Sequence, residues 1–266
     1  MKEKFYQVPD FKFDPENHSE KVTLSEEWAE LSTFLCKSEF INSLVNFFKA
    51  QNIKNILECA CGDGYVLSGV VGDGITGVGI DNDDYLIKRA ERKNSSSDIE
   101  YKKMSVLDLD ANPTMSRKNF DAVMCRGNSI TAFGCWGSTP ETFNVEESWE
   151  AMIEGLQQMW RRIKDGGLLY LDVTKQEDID AGNQTLAVNS GAINLKGTIV
   201  IDKDHKRRDV FGNGTINGKL FNGGSSSYLI SPNELRELVI KFLKPKEIWT
   251  PKEIKDDIYE VICARK

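Results

Sequence analysis

Glu58, Gly62, Gly64 and Asp81 have the residue types and the spacing to hold a nucleoside. The apolar run Asn55-Ile56-Leu57 ends in Glu58, and Ala60-Cys61-Gly62-Asp63-Gly64 leads to a helical pattern that opens at Tyr65. A buried parallel strand takes residues such as Ile56 and Leu57. A loop that passes close beneath a ligand takes glycines, because a Cβ there would collide with it. The helix that follows offers unpaired N–H groups, and ligands of open α/β sheets lie at the carboxyl ends of the strands, where Glu58 stands. Asp81, with Asn82 beside it, ends the next apolar run 23 residues later. A carboxylate there can accept hydrogen bonds from both hydroxyls of a ribose. Met104-Ser105-Val106-Leu107-Asp108 supplies a slot for an adenine: Ser105 bonds the ring edge, Val106 packs on its face, and Asp108 is an alternative partner for the exocyclic amine.

These residues need strands and helices in a set order. Apolar residues recur at helical spacing from Leu24 to Gln51 (Trp28, Leu31, Leu35, then Phe40, Leu44, Phe47, Phe48), which predicts one or two helices that cap the site or pack on the sheet. Strands are expected near Asn55–Glu58, Gly77–Ile80, Ile99–Met104, Phe120–Cys125 and Leu168–Val173, with a long helix over Val145–Lys164 stopped by Asp165-Gly166-Gly167. Alternating strands and helices imply βαβ units, hence a doubly wound, mostly parallel sheet. Between Gly191 and Tyr228 the rhythm changes to alternating segments separated by Asn-Gly, Gly-Asn and Gly-Gly, which predicts an antiparallel insertion of two to four strands. A helix over Pro232–Leu243 and two closing strands complete seven strands. The expected organisation is an N-terminal arm and helical cap over 1–52, a cofactor domain over 53–190 and 229–266, and a β insertion over 191–228 that roofs the strand ends.

The 266 residues are 40% apolar and 28% charged, and the formal net charge is −7. An acidic chain argues against broad contact with nucleic acid or an anionic membrane, so a small-molecule substrate is expected. No apolar run approaches the roughly 20 residues that span a bilayer. Met1–Asp10 has no signal-peptide core, which makes a cytoplasmic location the expectation. The six cysteines are scattered and only two histidines accompany them, so reduced thiols and no metal site are expected.

A nicotinamide fingerprint, G-x-G-x-x-G, would need its third glycine at Leu67. Glu58 to Gly64 instead resembles the acid-x-G-x-G-x-G loop of Rossmann-like S-adenosylmethionine-dependent methyltransferases, with Ala60 in place of the first glycine. The resemblance continues through Gly79-Ile80-Asp81, Ser105–Leu109, Asn119–Val123 and Asp165–Leu168, and covers most of residues 54–173. It implies that fold, S-adenosylmethionine as cofactor, and cofactor contacts from Glu58, Ala60, Gly62, Gly64, Asp81, Asn82, Ser105, Val106 and Asp108. Lys37 or Arg126 is expected to neutralise the cofactor's carboxylate.

A narrower resemblance joins Glu58–Gly64 and Phe120–Ser129 to glycine N-methyltransferases, which carry D-V-A-C-G-T-G and F-D-A-V-I-C-x-G-N-S at these places. It implies that Asn128 holds substrate and cofactor, with Gly127 and Asn128 orienting the reacting amine. Tyr6, Trp136 and Tyr228 are expected to wall the acceptor. After the fifth strand the family has D-x-R-N-Y-D, whose arginine grips a carboxylate, whereas Asp172-Val173-Thr174-Lys175 has threonine there. Lys175 can act as a point charge but not as a bidentate fork, which argues against glycine itself as the substrate. The expected reaction is methyl transfer to the nitrogen of an amine or amino-acid-like metabolite. The alternatives are an O-methyltransferase of secondary metabolism and a non-catalytic S-adenosylmethionine-binding protein.

Overall fold

The computed structural model describes residues 22–190 and 192–266, so Tyr6 lies outside the described residues. Two cap helices come first, α1 (Leu24–Leu35) and α2 (Ser38–Ala50). Thr23 starts α1 in a capping box: its hydroxyl accepts from the Glu26 N–H, and the Glu26 carboxylate accepts from the Thr23 N–H. In α2 the stripe Phe40, Leu44, Phe47 and Phe48 is buried, as its 3.6-residue period requires.

The alternating part runs β1 (Asn55–Cys59), α3 (Tyr65–Val70), β2 (Thr76–Asp81), α4 (Asp84–Lys93), β3 (Ile99–Lys103), β4 (Phe120–Cys125), α5 (Val145–Arg161), β5 (Ile163–Thr174) and α6 (Gln176–Ala181). An antiparallel unit follows, β6 (Gln184–Ser190), β7 (Ile193–Asp202), β8 (Arg207–Ile216) and β9 (Lys219–Tyr228), then α7 (Pro232–Leu243), β10 (Glu247–Trp249) and β11 (Tyr259–Arg265). The main sheet has seven strands in the order β10-β11-β5-β4-β1-β2-β3. Those from β5 to β3 are parallel, and β11 is antiparallel to β5 and to β10.

Alternate residues of each strand feed two cores, as the pleat demands. Leu57, Val123, Cys125, Leu169 and Leu171 pack with Met152, Leu156 and Met159 of α5 and Leu235 and Val239 of α7. Ile56, Ala122, Met124, Leu168 and Tyr170 pack on the other face with Phe40, Leu44 and Phe48 of α2 and Leu67 of α3. The sheet is therefore doubly wound. Its strand order reverses at β1, which pairs with β2 on one side and β4 on the other, and that places a crevice at the carboxyl ends of these strands.

The second sheet, β6-β7-β8-β9, builds a third core of Ile193, Leu195, Ile216 and Phe221, against which Leu24 and Leu31 of α1 pack. Asn217 and Gly218, with φ of 51° and 75°, turn β8 into β9, as a two-residue hairpin loop requires. This sheet begins at Gln184, before the 191–228 range drawn from turn signals. β6 is an edge strand with mostly exposed side chains, so no apolar alternation marks it.

The long helix also ends earlier than Lys164. Ile163 pairs with Phe120, and a register shift before Leu168 makes Lys164–Gly167 a bulge in β5 rather than a helix end. No helix among the described residues is long and apolar enough to cross a membrane. All six cysteines are free and buried.

Candidate functional site

The loop after β1 takes its shape from left-handed backbone at Ala60, Gly62 and Gly64, with φ of 55°, 57° and 73°. For Ala60 that conformation costs about 1–2 kcal/mol, which surrounding contacts must offset. They are present: the Cys61 N–H donates to the Ile80 carbonyl (3.0 Å), and the Gly62 N–H donates to Asp81 Oδ2 (2.8 Å). Gly64 admits no Cβ, because one would collide with the Tyr101 ring, whose hydroxyl donates to the Asn94 carbonyl (3.0 Å).

Asp81 ties the loops after β1 and β2 together. Its Oδ1 accepts from the Asp83 N–H (2.9 Å), and its main-chain carbonyl accepts from the Met104 N–H (2.8 Å). Burial raises its pKa against the pull of the backbone donors. The carboxylate thus uses one position on each oxygen for the backbone and keeps others for a ligand. Asp81 and Asn82 line a cleft, with Leu86, Met104, Ser105 and Val106 along one wall. Ser105 also caps the turn below, its hydroxyl accepting from the Leu107 N–H (3.1 Å).

At the other end of the cleft stand Ala60, Ser129, Phe133, Trp28 and Trp136. Trp28 of α1 lies across both glycine loops: a Cβ on Gly62 would sit 3.6 Å from its Nε1, and one on Gly127 would sit 3.2 Å from its Cζ2. Trp136 meets Trp28 edge-on, with ring centroids 6.2 Å apart. α1 is pinned in place through Arg89, which bonds Glu30 (2.9 Å) on the helix and Asp63 (3.1 Å) in the glycine loop.

Beneath the loops lies a buried polar cluster. Glu58 is 3% exposed, and its Oε2 has no hydrogen-bond partner among the described residues. Burial lifts its pKa to about 8; Arg126 pulls it down, while Asp63, Asp81 and Asp172 push it further up. Asp172 is fully buried and raised to about 7, again first by burial.

Several expected contacts are placed elsewhere. Arg126 sits in the cluster, not in the cleft: it reaches Asp256 (3.2 Å) and Cys36 Sγ (3.0 Å) and lies over the Phe40 ring (4.2 Å). Lys37 is exposed and paired with Asp257 (3.0 Å), and Lys175 donates to the Asp257 carbonyl (2.8 Å). Asp108 is exposed on the turn after Ser105 and does not line the cleft, because the turn points its side chain outward. Tyr228 is buried in the core against Trp149 (5.5 Å).

Gly127 and Asn128 are left-handed, with φ of 77° and 60°. The Asn128 amide is engaged within the protein, its Nδ2 donating to Thr131 Oγ1 (2.8 Å) and its Oδ1 accepting from the Thr174 N–H (3.3 Å). Its N–H donates to Asp172 Oδ1 (2.8 Å), so Asn128 joins β4 to β5 and shapes the loop. Trp28 was legible only as one apolar residue of a helical stripe; nothing local shows that its ring turns onto the glycine loops.

Residues 57–171 match a protein-family model described as a methyltransferase domain. The match runs from β1 to β5. Comparison with curated proteins gives no match. Among solved structures, an S-adenosylmethionine-dependent methyltransferase from Clostridium acetobutylicum is 12% identical, with a TM-score of 0.63 over 90% of this chain and 97% of that one. The sugar N-methyltransferase KedS8 from Streptoalloteichus is 14% identical (TM-score 0.63, 96% and 97% covered). CalS10, an amino pentose methyltransferase from Micromonospora echinaspora, is 14% identical (TM-score 0.62, 94% and 99% covered). These similarities show the shared fold.

The residues of the cleft fit S-adenosylmethionine. Asp81 suits the ribose, the Ser105–Val106 slot suits an adenine, and the left-handed loop admits close approach of the chain between them and β4. The unpartnered Glu58 oxygen gives the loop a buried acceptor of the kind a polar ligand or its waters would satisfy.

Proposed function

We propose that the protein transfers a methyl group from S-adenosylmethionine to the nitrogen of a small-molecule amine or amino-acid-like metabolite. The observation that carries this reading is the cleft itself: a ribose carboxylate at Asp81, an adenine slot at Ser105 and Val106, and at its far end an aromatic wall of Trp28 and Trp136 over Gly62 and Gly127. Bound there, the cofactor supplies an electrophilic methyl group on a sulfonium. What remains for the protein is to hold a neutral amine in line, exclude water and accept its proton.

Trp28 and Trp136 exclude water at that end. A weak base suffices for an amine, whereas a sugar hydroxyl asks for a stronger one. A nitrogen acceptor is named for one protein of the same fold, the sugar N-methyltransferase, and an amino pentose is named for another.

The motif likeness to glycine N-methyltransferases does not extend to glycine as substrate. Thr174 and Lys175 offer no fork for a small carboxylate, since Lys175 is spent on the Asp257 carbonyl. Release of S-adenosylhomocysteine across a panel of amines, amino sugars, amino acids and phenols tests the reading. Turnover of amines with loss in Trp28→Ala supports it; turnover of phenols alone contradicts it.

A further inference from the structure

Trp136 is placed over the cleft by the second sheet. It stands between Gly134 and Gly137, with φ of 76° and 78°, is 39% exposed, and belongs to none of the three cores. A large half-exposed ring on such a loop keeps one position only if the loop is tied down elsewhere. The ties come from β8 and β9. The Gly137 N–H donates to Ser225 Oγ (3.2 Å), the Ser226 N–H donates to the Ser138 carbonyl (2.7 Å), and Arg207 Nη1 donates to the Pro140 carbonyl (3.4 Å). Behind these contacts is a buried carboxylate. Asp209 is fully buried and faces Ser226 across the β8–β9 ladder. Its Oδ1 accepts from Ser226 Oγ (2.7 Å) and its Oδ2 from Arg207 Nε (3.1 Å), and Arg207 also reaches Asp202 (3.1 Å). A buried charge is kept only where donors satisfy it, so Asp209 fixes the two residues that hold the loop.

What the loop delivers is the Trp136 ring. It meets Trp28 with 71° between the ring planes, and both rings line the end of the cleft away from Asp81. Apart from the indole N–H groups, Ser129 is the one polar side chain at that end among the described residues, and no charged one lines it. An anion on the acceptor would find no counter-charge there, whereas aromatic faces accept an apolar or aromatic body and an ammonium group.

We propose that Asp209, Arg207 and Ser226 are positioning residues of the acceptor site: they hold Trp136 over the cleft, and Trp136 selects an amine on an aromatic or apolar body that carries no anion. This rests on the methyltransferase reading. The test uses the full chain saturated with S-adenosylhomocysteine and titrated calorimetrically with matched probes: phenethylamine against phenylalanine, tryptamine against tryptophan, and histamine against histidine. Asp209→Asn and Ser226→Ala are measured alone and in the Trp136→Ala background, with tryptophan emission recorded for each.

The amine of at least one pair is expected to bind about tenfold or more tightly than its amino acid, and Trp136→Ala should weaken that amine by about tenfold, with Trp136→Phe in between. Asp209→Asn should weaken it comparably and shift the emission to the red, and Ser226→Ala should do so less, while both bind S-adenosylhomocysteine like the wild type. In the Trp136→Ala background neither should change acceptor affinity or emission further, because both act through that ring. Amino acids that bind as tightly as the amines in every pair, undiminished binding in Trp136→Ala or Asp209→Asn, or losses that persist in the Trp136→Ala background overturn the proposal. A wild type that binds S-adenosylhomocysteine but no amine overturns it too. Should Asp209→Asn fail to bind S-adenosylhomocysteine, Ser226→Ala decides in the same way. Failure of the wild type to bind S-adenosylhomocysteine overturns the cofactor reading instead, and is seen before any acceptor is added.

Discussion

Glu58 and Asp172 keep protons that the unfolded chain gives up. Their pKa values of about 8 and about 7 lie above the ordinary 4.5 and 3.8, so the native state binds more protons than the unfolded state across this window. For an acid with a raised native pKa the sign is fixed: the groups cost nothing below about pH 4, and stability falls as pH rises towards 8. Thermal unfolding followed from about pH 5 to about pH 8 should show this decline, and Glu58→Gln should flatten it. A parallel decline in Glu58→Gln would remove Glu58 as its source.

Gly127 offers a second test at this scale. Its positive φ and the nearby Trp28 ring leave little room for a side chain, so Gly127→Ala should cost about 1–2 kcal/mol of stability and lower turnover more than cofactor affinity. Denaturant unfolding and S-adenosylhomocysteine release measure the two. Asp81, Ser105 and the glycine loop were legible in the sequence because strand ends fix them locally. Arg126, Lys37, Lys175 and Tyr228 were not, because their partners Asp256, Asp257 and Trp149 are distant in the chain or set by tertiary packing.

Among the elements, α1 depends most on contacts outside itself. Arg89 links its Glu30 to Asp63 of the glycine loop, and both ion pairs are largely buried. Removing one partner of such a network leaves charges unpaired, at a cost of about 3 kcal/mol or more. Arg89→Met should therefore expose Trp28 and weaken cofactor affinity, read as a red shift of tryptophan emission and as calorimetric affinity. Unchanged emission would show that the helix is held by Leu24 and Leu31 alone. The strands of the main sheet were legible because burial on both faces writes continuous apolar runs. β6 and the bulge in β5 were not, since one is an exposed edge and the other is set by pairing between Ile163 and Phe120.

For the whole molecule, three cores imply unequal local stability. β1, β4 and β5 are buried on both faces, whereas β6 carries exposed side chains at the edge of the smaller sheet. Amide exchange should be slowest in the former and fastest in β6, and cofactor should protect the loops after β1 and β2 more than β6. Uniform exchange would contradict the division into cores. The doubly wound architecture was legible from the alternation of strands and helices, but the approach of α1 to the second sheet was not, since it joins segments far apart in the chain.

The account stands on S-adenosylmethionine lying between the glycine loop and Asp81. Isothermal calorimetry of the wild type and of Asp81→Ala with S-adenosylmethionine tests this directly. The account predicts one site per chain in the wild type and affinity weaker by about tenfold or more in the variant, whose unfolding stays cooperative. No binding by the wild type, or equal affinity in the two proteins, would contradict it.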